Sequence, residues 1–201
     1  MATSYLDCPL VRFAELVAAR EPAPGGGPVA AVTVSLAAAL AAMAARYSAE
    51  IAPGQALVEA AEQLSSRAAG LAGDDADAYR TVIDAYATPK SAHPARRREQ
   101  IRNAMQRAAG VAVEIAQLGA ETATLAARLA VEGNRSVRGD AATAVLLAEA
   151  ATRSAAHLVA LDVDAGGCDH ELVRRAQSSV DAARSASLRL SLEESSPAAD
   201  R

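Results

Sequence analysis

Between Glu21 and Arg46 the chain carries no charged residue. From Val29 to Ala45 apolar residues fall on every side of a projected helix, and alanine, the strongest helix former, dominates the run. A helix of that kind is buried all round or crosses a membrane. The run has about the minimum length for a span, but its alanines are weakly hydrophobic and no second run of comparable character follows. The pattern therefore predicts a buried central helix at about 28–48, with the other helices packed around it.

Ahead of it, Leu10, Phe13, Leu16 and Val17 recur at helical spacing over residues 10–20, and Pro22 and Pro24 end that helix. A third helix runs from about 55 to 87 on the stripe Leu57, Ala61, Leu64, Ala68 and Leu71, with Gly70 and Gly73 as points where it kinks or splits. Beyond them Asp75, Tyr79, Val82 and Tyr86 share one face. Asp75 there is either the N-cap of a second half-helix or a site residue. A fourth helix at about 94–132 starts on Arg96, Arg97 and Arg98 and continues on Ile101, Ala104, Ala108, Val111, Ile115 and Leu118; Arg97 lies on that same stripe. Basic charge opposes a helix's own dipole at its start, which points to another job for the cluster.

Gly133-Asn134 stops the fourth helix, and after a polar loop Asp140 is placed to cap a fifth at 141–164, which by composition should be the second most buried. Gly166-Gly167 ends it, and a more polar sixth helix at about 169–192 carries Leu172, Ala176, Val180, Ala183 and Leu190. No alternating strand pattern occurs. The expectation is an all-α, multi-helix bundle forming a single domain over 1–192, with residues 193–201 a disordered tail.

Composition sharpens this. Hydrophobic residues make up 51% of the chain but aromatics only 2%, so the core is built from Ala, Leu, Val and Ile. A net charge of −4 argues against a nucleic-acid partner. The first ten residues lack a signal-peptide pattern, and Cys8 and Cys168 stand far apart with no metal-binding spacing, so the expected setting is cytoplasmic and reduced, with no metal and no membrane.

No phosphate-binding loop and no zinc pattern is present. His93, His157 and His170 are scattered; His157 reads as a core histidine and Cys168 as an inert thiol. Gly25, Gly26 and Gly27 precede a helix N-terminus, where free N–H groups and the dipole favour an electron-rich ligand. They are equally a tight turn between packed helices. With them the candidate positions are Pro24, Asp75 with Tyr79, Lys90 with Arg97, and Gly133-Asn134 with Asp140, all at loops and helix ends that a bundle brings to its caps.

Taken in order, Pro24-Gly25-Gly26-Gly27 before an Ala-rich helix containing Met43, Asp75 four before Tyr79, Pro89-Lys90, Arg97 four before Ile101, and Gly133-Asn134 followed by Asp140 resemble the cyclodeaminase/cyclohydrolase family. That family comprises the C-terminal domain of formiminotransferase-cyclodeaminase and stand-alone bacterial methenyltetrahydrofolate cyclohydrolases. The resemblance covers about residues 10–190. It implies a homodimer with a tetrahydrofolate derivative bound near the subunit interface as substrate, no bound cofactor, and either hydration of a methenyl carbon or cyclisation of a formimino group with loss of ammonia. The stand-alone chain favours cyclohydrolase. Carried onto this chain, the resemblance implies Asp75, Asp140 and Lys90 in the chemistry, and Pro24, Gly25, Gly26, Gly27, Tyr79, Arg97 and Asn134 in substrate binding.

The chain departs from the family at several polar positions. Pro28 stands where a serine is usual after the glycines, Gly139 where a serine precedes the aspartate, Ala112 in place of a proline, and Leu158 and Asp162 where two asparagines are common. The altered serine and asparagine positions motivate one rival, a repurposed member acting on another cyclic amine or imine; a second rival, of a different class, is a non-catalytic helical binding dimer.

Overall fold

An alanine-rich sequence leaves little side chain between helix axes, and the fold exploits this. The structure, a computed structural model, describes residues 5–48, 54–89 and 93–195. Among them six α-helices follow one another: α1 Leu10–Ala18, α2 Gly26–Tyr47, α3 Gly54–Ala87, α4 Pro94–Glu132, α5 Arg138–Gly166 and α6 Glu171–Ser195. Short 3-10 turns occupy Tyr5–Asp7 and Arg135–Val137, and no strand occurs among the described residues. The all-α bundle is as the hydrophobic pattern predicts. Lys90 and residues 196–201 of the tail lie outside the described residues; the part of the tail that is described, up to Ser195, continues α6.

Helix α2 is buried over most of its surface, from Gly27 and Pro28 through Ala44 and Ala45, and packs on α3, α4 and α5. The centre of the bundle, however, is α4, which packs on α2, α3, α5 and α6 and buries Ile115, Leu118, Val113 and a run of alanines. Helix α4, rather than α5, is thus the second well-buried helix. On α5, Leu146, Leu147 and Leu161 face outward. So does His157, contrary to its reading as a core histidine. By length and hydropathy α2 qualifies as a membrane span, and so does a second stretch, 135–166, which the pattern reading passed over; two thirds of the α2 window is buried inside the bundle.

Close helix contact is paired with internal satisfaction of hydroxyls. A Cβ on Gly119 would overlap Thr152 Oγ1, so α4 and α5 cross closely there, and Thr152 spends its hydroxyl on its own helix, donating to Ala148 O at 2.8 Å. Thr122 does the same to Leu118 O at 2.8 Å. No fully buried side-chain nitrogen or oxygen among the described residues lacks a partner.

Helix boundaries correct the sequence reading in two places. Helix α3 is continuous through Gly70 and Gly73, so Asp75 is mid-helix and not a cap. Helix α5 begins two residues before Asp140, with Val137 at the N-cap, so Asp140 lies in the first turn and contributes through the dipole rather than through a cap hydrogen bond. At the other end Gly167 supplies the left-handed C-cap, with φ 59°.

Three buried clusters stack along the bundle. One holds the C-terminal half of α2 with the start of α5 and the end of α6. A second holds the N-terminal half of α2 with Phe13, Leu64, Leu71 and Ile115. The third joins the end of α3, the start of α4 and the end of α5, through Val82, Ile101, Met105, Val159 and Val163, and takes nothing from α2. Helices α3, α4 and α5 therefore continue past the point where α2 begins, and that step in the bundle makes a hollow.

Candidate functional site

The hollow is a cavity of about 240 Å³, lined by Pro22, Ala23 and Gly25 of the loop, Gly26 and Gly27 of α2, Asp75 and Tyr79 of α3, Ala108 of α4, and Leu158 and Asp162 of α5. Asp75 and Tyr79 reach it together because they stand four residues apart on one face of α3. Further along that face Val82 is buried and Tyr86 carries Arg97 over its ring, 5.9 Å from guanidinium carbon to ring centre. Gly27 is required here: a Cβ on it would overlap both carboxylate oxygens of Asp75. Pro24 is buried beneath the loop, after a cis Ala23–Pro24 peptide, and does not line the cavity.

Burial raises the Asp75 carboxyl from 3.8 to about 6, with a further contribution from the charge of Asp162; burial alone raises Asp162 to about 6. Neither carboxyl has a hydrogen-bond or ion-pair partner among the described residues. Two carboxyls that titrate near neutrality in a largely apolar hollow are suited to moving protons. Behind Asp162 the Cys168 thiol, buried and 3.5 Å from Arg102 O, is pushed up chiefly by burial, consistent with an inert thiol. None of the three histidines lines the cavity, and no cluster of potential metal ligands occurs among the described residues.

The remaining sequence-predicted positions do not converge on this cavity within one chain. Asn134 sits at the opposite end of α2. Its Nδ2 donates to Tyr47 O at 2.9 Å, its N–H donates to Ser48 Oγ at 2.9 Å, and its Oδ1 accepts from Ser136 N at 2.9 Å. Asp140 is exposed at that same end, one turn into α5. Asp162, 22 residues later on the helix, is therefore about 33 Å away. Helix ends do meet at two caps, but these residues are divided between the caps. Arg97 is committed elsewhere: its Nε donates to Thr88 O at 2.7 Å and a terminal nitrogen donates to Tyr86 O at 2.9 Å. The basic start of α4 thus serves the C-terminal carbonyls of α3, where a cation is favoured.

Sequence reasoning did not select Asp162 as a site residue. The signal available was its position: Leu158 and Asp162 stand where the resemblance implies two asparagines, and the second replacement is acidic. A larger groove of about 600 Å³ between α3, α4 and α6 is lined by Leu57, Leu125, Val131 and the Arg128–Glu132 ion pair. Glu121 and Arg189 also line it, and none of the sequence-predicted positions does.

Comparison with known proteins places these features in a context. The family model described as formiminotransferase-cyclodeaminase matches residues 9–182. The chain is 33% identical over 153 residues to a methenyltetrahydrofolate cyclohydrolase of Methylorubrum extorquens, covering 72% of this chain and 74% of that protein. Its fold is similar to the crystal structure of a formiminotetrahydrofolate cyclodeaminase from Thermotoga maritima, with a TM-score of 0.81 and 23% identity over 92% of this chain and 94% of that one.

Proposed function

This chain belongs to the formiminotransferase-cyclodeaminase family, and on that premise we propose that it is a folate one-carbon enzyme working at the carbon between N5 and N10 of tetrahydrofolate, with methenyltetrahydrofolate hydrolysis as its reaction. The observation that carries the reading is the Asp75 carboxyl, held against Gly27 in an apolar hollow and raised to about 6. In that state it is largely ionised at neutral pH yet basic enough to accept a proton from an attacking water. Water adds to the cationic methenyl carbon as Asp75 takes its proton. The protonated carboxyl then returns a proton to the departing nitrogen, the ring opens, and the carbinol proton is lost as the formyl group forms. Asp162 and Tyr79 flank this exchange. The curated relative supports hydrolysis as the reaction.

A homodimer fits this function. A cavity of about 240 Å³ is smaller than drug-sized ligands require, so it accepts one end of a folate and leaves the rest outside. Helix α2 presents an uncharged outward stripe that includes Val29, Leu36 (55% exposed) and Tyr47 (62% exposed). A second copy laid antiparallel on this stripe would cover it. It would also bring the Asn134 and Asp140 end of one chain to the Asp75 end of the other, joining the two halves that a single chain keeps apart.

The test is to follow loss of methenyltetrahydrofolate absorbance above the uncatalysed rate. Acceleration that disappears in Asp75→Asn supports the assignment. No acceleration by folded wild-type protein refutes hydrolysis, and release of ammonia from formiminotetrahydrofolate would then assign cyclodeamination instead.

A further inference from the structure

The cavity described above contains more negative charge than a single proton-transfer group requires. Asp75 enters from α3 and Asp162 from α5, and the other walls are Pro22, Ala23, Ala108, Leu158 and glycine backbone. Among the described residues no arginine lines it, and Lys90 lies outside them. The ion pairs of the described residues lie elsewhere, for example Arg46 with Glu62 and Arg80 with Asp77, on the exposed surface. Arg102, near this end of α5, acts on the Cys168 thiol and pairs with neither carboxyl. Tyr79, 46% exposed, adds an aromatic wall, a surface compatible with a cation.

We infer that Asp162 is a specificity-determining residue: with Asp75 it gives the cavity two carboxyl groups and no balancing cation among the described residues of the chain, so the group it selects is a planar, delocalised carbon–nitrogen cation, an amidinium, in preference to the neutral counterpart of the same shape. The inference deepens the folate reading and rests on it for the identity of the natural substrate, since a methenyl bridge between two nitrogens is such a cation. The physical reason is that two like charges in a poorly solvated hollow repel each other until a positive charge enters. A neutral occupant leaves both carboxyls desolvated and unpaired. Discrimination arises from what the wrong ligand leaves uncompensated as much as from what the right one gains. Asp75 alone would suffice for proton transfer; the second carboxyl adds selection by charge.

The experiment uses Asp162→Asn, which keeps shape and removes charge, with Asp162→Glu as the charge-retaining control and thermal melts to establish that each variant folds. Two pairs of ligands are compared at pH 7.5: methenyltetrahydrofolate, cationic at its one-carbon bridge, against 5-formyltetrahydrofolate, neutral at that group and with the same anionic tail, by KM and by competitive inhibition, and benzamidinium against benzamide, by calorimetric titration. The wild type should favour the cation in each pair by about tenfold or more, the size expected for a partly shielded charge pair. In Asp162→Asn the KM for the cationic folate should rise by a similar factor while inhibition by 5-formyltetrahydrofolate stays the same, and Asp162→Glu should restore most of the preference. An unchanged preference in Asp162→Asn, or a wild type that does not distinguish benzamidinium from benzamide, overturns the inference. If neither folate binds but benzamidinium is preferred and the preference falls in Asp162→Asn, selection by charge stands and the folate reading fails.

Discussion

Asp75 and Gly27 are in such close register that a side chain at residue 27 and the carboxylate at residue 75 occupy the same space. Gly27→Ala therefore has to turn Asp75 away from the start of α2 or push α3 outward. The expected result is a loss of kcat of about tenfold or more, because misplacement of a reacting group by an ångström is costly. Overpacking should lower stability by about 1–3 kcal/mol. Urea unfolding and the methenyltetrahydrofolate assay measure the two effects. Full activity in Gly27→Ala would mean the observed placement of Asp75 is not the working one.

Asp75→Asn keeps the shape of the side chain and removes the base. Turnover should fall by about 10²-fold or more, the usual contribution of a positioned acid–base group, while the circular dichroism spectrum is unchanged. The wild-type rate should rise with pH through about 6 as the carboxyl ionises. A variant that retains turnover, or a wild-type rate flat from pH 5 to 7, would exclude Asp75 as the base.

The same carboxyl links stability to pH. Its unfolded value is 3.8 and its folded value about 6. Between these values the unfolded chain has released the proton and the folded chain still holds it, so stability falls as pH rises through this window and levels off above it. Asp75→Asn removes that term. Its advantage over the wild type should grow from pH 4.5 to 7, reaching on the order of 2 kcal/mol after allowance for partial solvation. Chemical denaturation at a series of pH values checks the sign; a variant less stable than wild type at pH 7 contradicts it.

Arg97 holds two carbonyls at the end of α3, those of Thr88 and Tyr86. Arg97→Met should cost about 1–3 kcal/mol, the range for losing charge-assisted hydrogen bonds, with KM unaltered in the protein that remains folded. A raised KM at unchanged stability would return Arg97 to the substrate-binding role that the resemblance implies.

Leu36→Glu places a charge on the open stripe of α2. The proposed dimer predicts a shift to monomer, read by light scattering at micromolar concentration, and a loss of activity because the second copy's far end would no longer reach the cavity. A variant that stays dimeric and active would move the interface to another face.

The hydrophobic pattern alone determined the fold class and nearly every helix, because an uncharged alanine run must be buried and because glycine and proline end helices locally. Gly133 and Gly167 stop α4 and α5 where their backbone chemistry says they should. Spacing also placed Asp75 and Tyr79 on one face of α3. What the sequence left open was each side chain's neighbour. Arg97 reads as a ligand for an anion until α3 ends beside it; His157 reads as core until α5 turns it outward. Asn134 and Asp140 read as neighbours of Gly27 until the length of α2 places them at the other end of the same chain. Above all, the pairing of Asp75 with Asp162 joins residues 87 positions apart. Local propensity acts over a turn or two, whereas the raised carboxyls arise only where α3, α4 and α5 run past the start of α2 and partly bury both.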